Sequence, residues 1–209
     1  MSRDFCFLSV ENKRIKPYFL YISGGKEKNK LMGLVSEICC IFEGVLYAVK
    51  WEGEKQNELH RILALWNNAE YVYSFVKANK PDAPKGISDD VLSSMIMESA
   101  NDMDERLYHF STHANRSLSE FFRPLDNGEY RVVALSKQKA RKNYLRLYAV
   151  KIDANCFLIS GGAIKFHHLN KDRPHTQHEM QKLNICKEYL KENGVFDADD
   201  FNQYLKEQK

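Results

Sequence analysis

Long apolar runs are missing from this chain of 209 residues. Its most apolar window, residues 31–49, is broken by Glu37, Glu43 and Gly44, so no transmembrane helix is predicted. The opening MSRDFCFLSVENKR holds no apolar stretch long enough for a secretory leader. Cysteine is sparse: Cys6, Cys39, Cys40, Cys156 and Cys186 are odd in number and include no C-x-x-C pair. That argues against a disulfide scaffold and reads as reduced, buried thiols of a cytosolic protein. Neither Gly24-Gly25 nor Gly161-Gly162 belongs to a G-x-x-x-x-G-K-[ST] phosphate loop, and both read as strand bends or turns. No GxSxG, HExxH or dinucleotide-binding fingerprint is present, so no cofactor is implied.

One absence is local. Between Arg131 and Lys151 there is no Asp or Glu, while Arg131, Lys137, Lys139, Arg141, Lys142, Arg146 and Lys151 all fall there. The net charge of the whole chain is only +3, because acidic stretches at 89–105 and 197–200 offset this excess. Such asymmetry points to one anion-seeking face, with RNA the first candidate ligand. The segment 127–168 reads as three strands joined by two short connections. Side chains two apart on a strand share a face. In LRLYA (145–149), Leu145, Leu147 and Ala149 are expected to face a core, with Arg146 and Tyr148 facing out. In AIKFH (163–167), Lys165 and His167 share one face. Arg146, Tyr148, Lys165 and His167 are therefore expected on one wet sheet face.

Before this sheet, residues 31–42 fit a strand or a helix, and residues 45–51 (VLYAVKW) a strand. Helical spacing runs over 54–66, breaks at Asn67-Asn68, resumes over 69–78 and stops at Pro81 and Pro84. Ser88 caps a long helix, with Asp89 and Asp90 placed for its dipole, and a short helix covers 117–122. After the sheet, Thr176-Gln177-His178-Glu179 has the form of a capping box, followed by an apolar stripe of Met180, Leu183, Cys186 and Leu190. Gly194 ends that helix, and Asp197 starts a last short one.

From residue 45 to about 193 this order resembles the RelE/ParE superfamily of toxins, including its HigB-like, phage-associated branch. The resemblance is carried by FFRPLDNGEYRVV (121–133), YLRLYAVKIDANCFLISGGAIKF (144–166) and RPHTQHEM (173–180). The chain also resembles a group of Bacteroidetes mobile-element proteins built on the same pattern. The resemblance implies an α+β fold: a small antiparallel RelE-like sheet with flanking helices, covering 44–209. Two parts are additional, an N-terminal extension over 1–43 packed on the main domain and a helical insertion at about 85–122. Arg131, Arg146 and Lys165 match the three basic positions of the family's strands, whereas its catalytic tyrosine finds no match. The resemblance further implies a cytoplasmic protein, with RNA or the ribosome and a cognate antitoxin as partners and no membrane.

Metal-free RNA cleavage needs a polarised 2′-OH, a cation at the phosphate and a proton donor for the leaving oxygen. Arg146 is the first candidate for the phosphate clamp and Lys165 the second, with His167 as acid or base. Arg131, Lys137, Lys139, Arg141, Lys142 and Tyr148 are the candidate RNA-binding residues. His167, His168, His175 and His178 lack neighbouring thiolates and sufficient carboxylates, so they read as exposed histidines rather than metal ligands. The expectation is a metal-independent, toxin-like endoribonuclease. The alternatives are a non-catalytic nucleic-acid- or protein-binding module and a gyrase-type inhibitor.

Overall fold

The computed structural model describes residues 34–125, 135–166 and 174–208. Strands β1 (Val35–Phe42) and β2 (Leu46–Trp51) form an antiparallel hairpin closed at Gly44, whose φ of 74° suits a residue without a β-carbon. The segment left open between strand and helix is thus a strand over its described part, and it belongs to the same sheet as the residues after 43.

Two asparagines cut the next helical stretch into separate pieces. Helix α1 (Glu58–Trp66) starts at Asn57, whose side chain accepts from His60 N at 3.1 Å. Helix α2 (Ala69–Ala78) starts at Asn68, which accepts from Tyr71 N at 2.8 Å. Each cap satisfies an N–H that the first helical turn leaves over. Helix α3 (Asp89–Thr112) is capped by Ser88 and opens with Asp89 and Asp90, and the short α4 (Leu118–Phe121) follows. Then come β3 (Arg123–Pro124), β4 (Ser136–Lys142), β5 (Leu145–Asp153), β6 (Cys156–Ile164), α5 (Pro174–Glu192) and α6 (Ala198–Glu207). Arg131, His167, His168, Arg173 and the N-terminal extension before residue 34 lie outside the described residues.

The fold class is α+β. The sheet order is β1-β2-β6-β5-β4-β3. It is mixed rather than wholly antiparallel, because β2 and β6 pair in parallel. Helices cover both faces. On one, α1 to α4 pack on Leu145, Leu147, Ala149, Phe157 and Ile159. On the other, α5 and α6 pack on Tyr148, Val150, Ile152 and Leu158. This corrects the expected wet face: Tyr148 is fully buried, and β5 and β6 are buried along nearly their whole length. Their near-continuous apolar runs, LYAV and CFLI, are the pattern of strands covered on both sides. The capping box is corrected too. Helix α5 begins at Pro174, so Thr176 and Glu179 lie inside the helix and both are buried. Among the described residues no helix is long and apolar enough to cross a membrane.

Candidate functional site

The basic residues of β4 and β5 separate by register. Lys139 pairs with Tyr148 and Arg141 with Arg146, so Lys137, Lys139, Arg141 and Arg146 share the α5-side face. Lys142 pairs with Leu145 on the opposite face and is ion-paired to Asp102 of α3, which removes it from the set. Lys137 reaches Asn184 of α5 at 3.5 Å, and Lys139 donates to the Leu125 carbonyl at 3.1 Å. Arg141 is exposed. Arg146 folds back on its own hairpin, Nη1 donating to the carbonyls of Asn143 (2.8 Å) and Leu145 (2.7 Å). Burial first, and the facing Arg141 second, push the Arg146 guanidinium down to about 10. None of the four cations is ion-paired to a carboxylate among the described residues.

The proposed catalytic set is not assembled there. By alternation from Ala163, which pairs with Arg146, Lys165 falls on the Arg146 side, but it is only 8% exposed. Tyr148 is sealed under α5, and its phenol is pushed up by burial. His167 lies outside the described residues.

A different constellation occupies the carboxyl ends of the parallel pair. Pairing between β2 and β6 covers only Leu46–Ala48 and Phe157–Ile159, although the strands run on to Trp51 and Ile164. Where pairing stops there is a cavity of about 370 Å³, lined by both strand ends and by residues of α1, α2 and α5. This is the place in an open sheet where ligands commonly bind.

Helices from opposite faces of the sheet meet here. Glu58 of α1 is completely buried and takes a two-pronged bond from Arg61, Nε to Oε2 and Nη2 to Oε1, both 2.8 Å. Lys182 of α5 bonds the same Glu58 Oε1 and also Glu179 Oε1, the latter at 3.3 Å. Its Nζ lies 5.5 Å from the Trp51 ring centroid. Glu179 is 6% exposed, and burial pushes its carboxyl up to about 7; Lys182 pulls it down, and Glu58 adds to the rise. Arg61 is held above its ordinary value by Glu58.

Two buried polar atoms of these side chains, Trp51 Nε1 and Glu179 Oε2, have no hydrogen-bond partner among the described residues. Aromatic surface comes from Trp51, Trp66, Tyr71 and Phe75, and Phe75 meets the His175 ring edge-on at 5.3 Å. The exposed lining comes from Glu52, Glu54, Tyr71 and His178.

The paired glycines are explained by this site. Gly161 and Gly162 lie within β6 rather than in a turn, beside the register shift around Ser160. A β-carbon at Gly161 would overlap Glu179 Oε2, and one at Gly162 would sit 2.9 Å from the Trp66 ring and from the Arg146 carbonyl oxygen. Trp51 is buried and also lines the cavity. The sequence reading missed Glu58, Arg61, Glu179 and Lys182. The available signal was Glu179 at helical spacing from Thr176, Leu183, Cys186 and Leu190, a carboxylate within an apolar stripe. Among the described residues no three His, Cys, Asp or Glu side chains gather as a metal site. Compared with protein-family models, with curated proteins and with solved structures, the chain matches none.

Proposed function

We propose that the protein binds single-stranded RNA through the α5-side face of β4 and β5, acting as a binding module in the cytoplasm. The observation that carries this reading is the register that lines up Lys137, Lys139, Arg141 and Arg146 with no ion-paired carboxylate. Arg141 and Arg146 stand directly opposite one another across two strands. Like charges so placed are destabilising unless an anion sits between them. A phosphate there relieves the repulsion and takes up guanidinium donors that make no hydrogen bond within the described residues.

The resemblance to RelE/ParE toxins adds the ribosome and a cognate antitoxin as candidate partners. The endoribonuclease form of the reading asks in addition for Lys165 and His167 to converge on Arg146, and the geometry favours binding over cleavage because Lys165 is buried. Fluorescence anisotropy with a labelled single-stranded RNA tests the proposal. Four phosphate contacts give a slope of log K against log salt of about −3, from roughly −0.7 per phosphate. Changing Arg141 and Arg146 together to Ala is expected to weaken binding and flatten that slope by roughly 1.4. Salt-insensitive binding, or none at low salt, would remove the reading. Cleavage of the same RNA by wild type, lost in Arg146→Ala, would establish the nuclease form.

A further inference from the structure

We propose that Asn184 of α5 reads an adenine in the RNA strand held on the β4–β5 face, which gives that face a base preference. The inference deepens the RNA-binding reading and rests on it. Phosphate contacts hold a strand in place but carry no sequence information. A preference needs a polar side chain beside the cation row that meets a base edge, and Asn184 is placed there. Helix α5 begins beside Ile164, where His175 Nε2 lies 3.1 Å from the Ile164 carbonyl oxygen. Ile164 pairs with Leu145 at the hairpin end that carries Arg141 and Arg146. Further along α5, Asn184 Oδ1 lies 3.5 Å from Lys137 Nζ, at the other end of the row. The helix therefore runs alongside the row, with the flank that carries Asn184 next to it.

Asn184 is exposed, so a ligand reaches it without rearrangement. The Lys137 ammonium has only donors, which fixes the amide: Oδ1 faces Lys137, and Nδ2 makes no hydrogen bond among the described residues. At 3.5 Å the lysine bond is long for N–H···O and costs little to exchange. The amide thus offers an acceptor and unused donors in one plane. Adenine carries an amino donor next to a ring-nitrogen acceptor on both its Watson–Crick and its Hoogsteen edge, so it pairs bidentately with such an amide from either side. Of these two edges, cytosine, guanine and uracil present an adjacent donor and acceptor only on the Watson–Crick edge. The surroundings suit a base joined to phosphates. Glu188, one turn beyond Asn184, is ion-paired with Lys191 at 2.9 Å. Lys187, at i+3 from Asn184, makes no ion pair among the described residues and continues the positive row. Leu125 and Met180, both partly buried against the α5-side core, offer apolar surface to the face of the base.

The test is fluorescence anisotropy with labelled short oligouridines, unmodified or carrying a single A, C or G at the centre, against wild type, Asn184→Ala and Arg141→Ala. Wild type is expected to bind the adenine-bearing strand about five- to a hundredfold more tightly than the others, the range for one bidentate base contact. Asn184→Ala, an exposed change to a better helix former, is expected to lose that preference and keep the salt slope. Arg141→Ala is expected to keep the preference, weaken all four strands alike and flatten the slope by roughly 0.7. Equal binding of the four strands by wild type overturns the proposal and leaves the basic face standing, as does an adenine preference that survives in Asn184→Ala. A preference for another base overturns it too, and guanine would assign the base contact to Lys137. No binding of any strand at low salt removes the RNA-binding reading, and this inference with it.

Discussion

Glu179 makes stability depend on pH in a direction opposite to most carboxylates. Its carboxyl is pushed from an ordinary 4.5 up to about 7, first by burial and then by Glu58, against the pull of Lys182. A rise of that size corresponds to roughly 3 kcal/mol of preference for the neutral carboxyl. A raised carboxyl means that the fold disfavours the ionised form. The stability linked to its protonation is whole below about pH 4.5 and is lost as pH rises through about 7. Glu179→Gln keeps the shape and cannot ionise, so it removes this loss. Urea unfolding curves of both proteins from about pH 4 to pH 8 give the difference directly. The variant is expected to match wild type near pH 4 and to exceed it by roughly 3 kcal/mol near pH 8. Among the described residues, the titratable groups that interact electrostatically with Glu179 are Lys182 and Cys186 on α5, Glu58 and Arg61 on α1, Tyr71 on α2 and Tyr148 on β5. They are present in both proteins, so their own titration largely cancels in the difference. A difference that is flat with pH, or in which wild type gains on the variant as pH rises, would refute the reasoning.

Element type was well marked in this sequence, because its boundary residues act locally. Asn68 caps α2 and Ser88 caps α3 where the sequence placed helix starts, and the strands β4, β5 and β6 fall within the segment 127–168 that was read as three strands. The exposure of the sheet was not legible in the same way. Alternation in LRLYA predicts which residues share a face, and it placed Arg146 and Tyr148 together. It does not say whether a helix distant in sequence covers that face. Here α5 and α6 do, so Tyr148 is buried, whereas Arg146 near the hairpin end stays partly exposed. The cavity was hidden for a related reason. Glu58 and Lys182 are 124 positions apart in the chain, and their pairing depends on β2 and β6 lying side by side. A crossing of that kind leaves no periodic trace. What remains readable is the cost it imposes locally, a carboxylate in the apolar stripe of α5 and two adjacent glycines in an otherwise apolar strand.

Three further perturbations address the same framework. Glu58→Ala strands Arg61 and the buried Lys182 without their shared carboxylate, and a loss of about 3–5 kcal/mol is expected in chemical denaturation; a loss under about 1 kcal/mol would mean that water reaches the cluster. Asn57→Ala removes the side-chain acceptor of His60 N at the start of α1 and is expected to cost about 1 kcal/mol, read as a lower melting temperature. Gly161→Ala tests whether β6 and α5 are fitted to each other through Glu179. The new methyl group would overlap Glu179 Oε2, so a cost of about 1–3 kcal/mol is expected from overpacking. An alternative cause exists, since alanine also changes the backbone freedom of the strand, but that effect is independent of residue 179. Shortening the glutamate separates the two. In Gly161→Ala with Glu179→Ala the clash is gone, so the double variant is expected to be more stable than the sum of the single effects allows, by about 1 kcal/mol or more. Additive effects in that cycle would show that Gly161 serves the strand alone and that the carboxylate does not press on it.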